Sequence, residues 1–209
     1  MCDAQLFCGY TSSAVNNERL LILVIDENPV RAAILEDGLR EAGYESVQVV
    51  SVMTNLVRAI VDIDPDVIFI DLENPNRDVL EQMFQVSRTV RRPVALFVDR
   101  SDAEQTETAI NAGVSAYIVG DLRKERVKPI LDMTISRFNF FNRLQAELED
   151  TKQKLADRKI IDQAKGILMR RRNLSEQDAY ALLRKTAMDS NSQISEVART
   201  VVSAAELLP

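Results

Sequence analysis

Lys165 and Gly166 stand inside an apolar-periodic stretch, residues 158–172, that ends in Arg170, Arg171 and Arg172. A glycine in a helix interior costs about 1 kcal/mol against alanine. Bare backbone beside a lysine and ahead of arginines suits close approach to an anion, and it equally suits close packing of a neighbouring helix. A second cluster of chemical groups lies far upstream. Asp26 and Glu27 end one short apolar run and Asp71 ends another. Carboxylates gathered at one place repel each other and stay ionised when a cation is shared among them. Mg²⁺ is therefore the natural occupant of a site made by Asp26, Glu27 and Asp71. No other cofactor is required.

Those acids need a frame, and residues 20–125 supply the pattern of one. Apolar runs at 20–25, 46–50, 66–70, 94–98 and 116–119 alternate with helical-period segments at 29–42, 53–61, 77–90 and 102–112. Gly43 and Gly113 close two of the helices. Strands alternating with helices imply βαβ units, a doubly wound parallel sheet of flavodoxin-like type with helices on both faces. In such sheets the chemistry gathers at the carboxyl ends of the strands, where these acids fall.

Beyond Gly120 and Asp121 no glycine- or proline-rich linker intervenes. Residues 122–158 read as one nearly continuous helix. Ile130, Phe141, Leu144, Leu148 and Leu155 fall on heptad core positions, with Thr134, Arg137, Thr151 and Arg158 in the remaining slots. A parallel two-stranded coiled coil, hence a homodimer, is expected. The aromatics Phe138, Phe140 and Phe141 favour a partner, because a single helix cannot bury all of them. Three short helices then build a small module. Ser175 caps the second of them, and the third carries Ile194, Val197, Ala198, Val201 and Val202 as its buried stripe. The expected organisation is an N-terminal extension over 1–18, an α/β domain over 19–125, a coiled-coil helix over 126–158 and a helical module over 148–209 that overlaps the helix end.

Composition narrows the functions. With 209 residues there is room for an ordinary domain and a smaller one. The longest apolar runs are strand-length, too short to span a membrane. Asp3, with no basic stretch ahead of an apolar segment, argues against a secretory signal and for the cytoplasm. Cys2 and Cys8 are the whole cysteine content and histidine is absent. That leaves no zinc site and no Ser-His or Cys-His nucleophile. The acids have no phosphate loop or cofactor fingerprint beside them, so an enzyme is not expected. Net charge is −6, yet the sign is uneven. Lys152, Lys154, Arg158, Lys159, Lys165, Arg170, Arg171, Arg172, Arg184 and Lys185 outnumber Asp157, Asp162, Glu176 and Asp178. A locally cationic end on an acidic chain suggests a nucleic-acid-facing surface. A DNA-reading helix at 194–199 is the weaker alternative, since it offers mainly Arg199.

The first domain resembles the receiver domain of response regulators. The acidic pair Asp26-Glu27 matches, Asp71 stands at the phospho-acceptor position, Pro75 follows four residues later, and the run 112–117 leads into the last strand. The departures carry as much weight. Receivers place a Thr or Ser after the fourth strand and a Lys after the fifth; here stand Val98 with Asp99, and Gly120 with Asp121. A phosphoryl group would lose two charge-assisted contacts worth roughly 1.5–3 kcal/mol each. Asp71 is therefore expected to be a vestigial acceptor and not the working input.

The last module resembles the ANTAR domain, the RNA-binding domain of antitermination regulators. The matching residues are Arg158, Ile161, Ala164, Lys165, Gly166, Leu168, Met169, Ser175, Glu176, Ala179, Tyr180, Leu182, Leu183, Arg184, Ala187, Met188, Ile194, Val197 and Ala198. The order receiver, coiled coil, ANTAR is similar to that of amidase and nitrate-assimilation regulators, the nitrate/nitrite type above all. The resemblance implies a regulator that binds paired stem-loops in nascent leader mRNA and prevents terminator formation at nitrate/nitrite assimilation genes. It further implies control by a cytoplasmic nitrate-sensing partner related to periplasmic binding proteins. The alternative is a phosphorylation-switched two-component regulator with a DNA-binding output. The expected RNA-binding residues are Lys165, Gly166, Arg170, Arg171, Arg172, Tyr180, Arg184 and Lys185. Gly166 would admit the backbone, the cations would meet phosphate, and Tyr180 would stack on a splayed base.

Overall fold

The computed structural model describes residues 20–51, 56–72 and 77–207. Cys2, Cys8, the extension over 1–18, Met53 and Pro75 lie outside them. The chain divides into two compact units, Met1–Phe141 and Asn142–Pro209.

In the first unit β1 (Ile22–Ile25), β2 (Val47–Val50), β3 (Val67–Leu72), β4 (Val94–Val98) and β5 (Ala116–Val119) form one all-parallel sheet in the order β2-β1-β3-β4-β5. β3 and β4 are buried along their whole length, as strands covered on both faces must be. Side chains alternate between two cores. Leu23, Ile25, Ile68, Ile70, Leu96 and Val98 pack with α2 (Leu56–Ile63), α3 (Arg77–Thr89) and α4 (Ala103–Asn111). Ile22, Val24, Phe69, Phe97 and Ile118 pack with α1 (Pro29–Glu41) and the start of α5 (Lys124–Arg172). Gly38 of α1 is required there: a Cβ would stand 2.8 Å from Val127 Cγ2 and 3.1 Å from the Lys124 carbonyl oxygen.

The coiled-coil expectation needs one correction. Ile130 is buried in the core between α1, α5 and the sheet, together with Val127 and Leu131. Thr134 is buried too, its hydroxyl donating to the Ile130 carbonyl at 2.6 Å. The first turns of α5 thus spend their apolar positions on their own sheet, and the exposed stripe starts only at Phe140 and Phe141. Leu144, Leu148 and Leu155 continue it, each about half exposed.

The second unit joins the end of α5 to α6 (Glu176–Asp189) and α7 (Ile194–Leu207). Ser175 caps α6 by accepting from the Asp178 backbone N–H at 3.1 Å. Asn173 and Asn191 adopt left-handed backbone (φ 51° and 50°) and turn the chain on either side of α6. Ala164, Leu168, Ala179, Leu183, Ala198 and Val202 form the core.

Candidate nucleic-acid interface and acidic pocket

The acidic pocket lies at the carboxyl edge of the sheet, at the point between β1 and β3 where the strand order reverses. Asn28 and Pro29 decide its composition. The Asn28 side chain accepts from the Val30 backbone N–H at 3.0 Å and Pro29 occupies the first helical turn, so α1 starts at once after β1. That start puts Arg31 over β3. Its Nε donates to Asp71 Oδ2 at 2.8 Å and its Nη2 to Asp71 Oδ1 at 2.7 Å. Its Nη1 reaches Asp99 Oδ1 at 2.8 Å. The Asp71 side chain is fully buried and that of Arg31 is 16% exposed. Arg31 is held above its ordinary pKa, first by its hydrogen bond to Asp71, against the opposing effect of burial.

The three-carboxylate Mg²⁺ site expected at Asp26, Glu27 and Asp71 is not assembled. Asp26 is buried and its Oδ1 accepts from the Asn28 backbone N–H at 2.8 Å. Glu27 is exposed, and Arg31 takes both oxygens of Asp71. Among the described residues no three acidic, histidine or cysteine side chains converge to hold a metal ion. The fit to a divalent cation fails because a guanidinium already supplies the positive charge. Sequence reasoning passed over Arg31. The signal was present in the extra acid at Asp99 and the missing lysine at Gly120, which together left buried carboxylates in need of a cation from elsewhere in the chain.

At the end of the fifth strand, Gly120 takes a positive φ of 102° and Asp121 pairs with Arg123 at 3.6 Å. Tyr117 donates its hydroxyl to Ser101 at 2.9 Å, and burial raises its pKa.

The helical module presents its cations unevenly. Lys165 is tied in: its Nζ contacts Asp162 Oδ1 at 2.7 Å and Glu176 Oε1 at 2.8 Å, with the side chain 16% exposed. It therefore joins α5 to α6. Arg171 donates to the Ala205 carbonyl oxygen at 3.0 Å, near the C-terminal end of α7 where a cation complements the helix dipole. Arg199 of α7 pairs with Asp157 of α5 at 2.8 Å. Arg170, Arg172, Arg184 and Lys185 are exposed, as is Tyr180 on the outer side of α6. Gly166 is half-buried and loosely surrounded. An added Cβ would meet only the Arg170 guanidinium, at the ordinary distance of 3.7 Å. Close helix packing within this chain therefore does not account for the glycine. An open groove between the end of α6 and the start of α7 is lined by Arg184, Met188, Asn191, Gln193 and Glu196.

Among the described residues no helix is long and apolar enough to cross a membrane.

Comparison with known proteins matches these two units to two families. The response regulator receiver domain matches residues 22–132, more than half of the chain, and the ANTAR domain matches residues 149–202. The transcriptional regulatory protein PdtaR of Mycobacterium tuberculosis is 27% identical over 184 residues, spanning 88% of this chain and 89% of its own. The nitrate regulatory protein of Klebsiella oxytoca is 33% identical over 76 residues, 36% of this chain and 19% of that protein. Among solved structures, a pilus assembly-related protein of Burkholderia pseudomallei aligns with a TM-score of 0.50 at 21% identity, over 56% of this chain and 90% of that one. That likeness concerns the fold of the α/β unit alone.

Proposed function

The chain belongs to the response regulator receiver family and carries an ANTAR domain, and from that premise we propose that it is an antitermination regulator acting on leader RNA. It binds paired stem-loops in nascent mRNA and so keeps the terminator from forming. Both matched families are regulatory and neither is catalytic. One observation carries the reading: Gly166 lies in a helix interior, flanked by exposed Arg170 and Arg172, and only the Arg170 guanidinium stands near where a side chain would be. A helix that forgoes about 1 kcal/mol there leaves backbone accessible to an outside partner. Exposed Arg184 and Lys185 add phosphate contacts, and Tyr180 offers a stacking face. Lys165 and Arg171, engaged within the module, hold its helices in place for those contacts.

The regulated genes are those of nitrate/nitrite assimilation; the similarity to the Klebsiella oxytoca nitrate regulatory protein supports this. The input is a cytoplasmic nitrate-sensing protein related to periplasmic binding proteins, not phosphorylation. The Arg31 pair on Asp71 supports that exclusion. The protein works in the cytoplasm as a homodimer.

The experiment is a titration of full-length protein against a two-hairpin leader RNA at several salt concentrations. Arg184→Ala is expected to weaken binding and to reduce the salt slope by about 0.7. Gly166→Ala is expected to raise the stability of the module by about 1 kcal/mol and yet to weaken RNA binding. Unchanged RNA affinity in a stabilised Gly166→Ala protein defeats the proposal, as does equal affinity for an unstructured polyanion.

A further inference from the structure

We propose that Arg31 is the resident cation of the receiver pocket, its guanidinium standing where a divalent metal would have to bind beside Asp71. The inference deepens the phosphorylation-independent input proposed above, on which it rests.

The contacts form one consistent set. Arg31 meets both oxygens of a fully buried Asp71 in a bidentate fork, and its remaining terminal nitrogen meets Asp99. Bidentate guanidinium–carboxylate pairs are the strong, directional form of charge-assisted hydrogen bond. Asp99 follows Val98, the position at which the sequence lacks a phosphoryl-gripping hydroxyl. The departure and the arginine are thus linked: the acid that would repel a phosphoryl group is the second acceptor of Arg31. A metal ligating Asp71 would bring its charge against the guanidinium, and like charges at contact distance repel strongly in a partly buried site. Arginine cannot escape by deprotonation at any working pH, and its raised pKa here agrees. Belonging to the same chain, and placed by the cap at Asn28 and Pro29, it needs no free ion from solution.

Full-length protein is titrated with Mn²⁺ alone, followed by its electron paramagnetic resonance signal. Wild type is expected to show no saturable site. Arg31→Ala is expected to gain one, tighter by at least about tenfold, and adding Asp71→Asn is expected to remove it. Arg31→Gln retains a polar stem without the charge and carries the same test should Arg31→Ala lose its cooperative unfolding. A wild-type site as tight as the variant's overturns the inference, and so does a folded Arg31→Gln protein that takes up no Mn²⁺. Incubation with acetyl phosphate and Mg²⁺ separates the two levels. A wild type phosphorylated at Asp71 sinks the input reading together with this one, whereas failure of the arginine variants to gain Mn²⁺ sinks this one alone.

Discussion

At Asp71 a substitution would report on folding before it reported on signalling. Asp71→Ala leaves Arg31, 16% exposed, with its contact to Asp99, and breaking one partner of a buried ion pair costs about 3–5 kcal/mol. Urea unfolding is expected to move to a clearly lower midpoint in Asp71→Ala. The double variant with Arg31→Ala is expected to recover part of the loss, because no guanidinium is then left without its buried carboxylate. A midpoint unchanged in Asp71→Ala would mean that the pair contributes nothing to stability. Loss of regulation in that variant is accordingly no sign of phosphorylation. The ionic link at Lys165 is of another kind, because both of its carboxylates are exposed. Asp162 is lowered from 3.8 by its hydrogen bond from Lys165, so its contribution is present above that value and lost as pH falls below it. Lys165 is raised from 10.5 by Asp162 and Glu176, so its contribution is complete below that value and lost as pH rises past it. The neutral range leaves the link intact.

Among the elements, α5 has two different faces in succession along its length. Its early apolar residues, Val127, Ile130 and Leu131, are buried, and its later ones, Phe141, Leu144, Leu148 and Leu155, are exposed. A heptad count treats both stretches alike, since periodicity records spacing and not what the spaced residues touch. For that reason Ile130 was legible as a helix-face residue and not as a core residue. Gly38 was equally silent in sequence, although its missing side chain is what lets α1 approach Val127. An exposed leucine stripe of this kind is expected to pair two chains. Replacing Leu144 and Leu148 together by aspartate should shift the protein from dimer to monomer in sedimentation, with the far-ultraviolet dichroism of the α/β unit retained. A wild type that sediments as a monomer would remove the coiled coil.

For the molecule as a whole, two linked modules gripping two loops gain affinity through effective concentration and not through new contacts. Disrupting either hairpin of the leader is expected to weaken binding by about a hundredfold or more, and the Leu144/Leu148 variant should bind intact and disrupted leaders alike. Equal binding of both leaders by the wild type would reject paired recognition. Element order, the parallel sheet, the acidic edge and the family resemblance were all legible in the residues. Strand and helix periods are set by near neighbours, and motifs are short. Tertiary structure alone decided that Arg31 meets Asp71 and Asp99, 40 and 68 positions away, that Lys165 is bound to Glu176, and that no neighbouring helix packs closely on Gly166. Charges far apart in sequence choose partners only once the sheet and the bundle have set the distances, and an ion pair leaves no periodic trace along the chain.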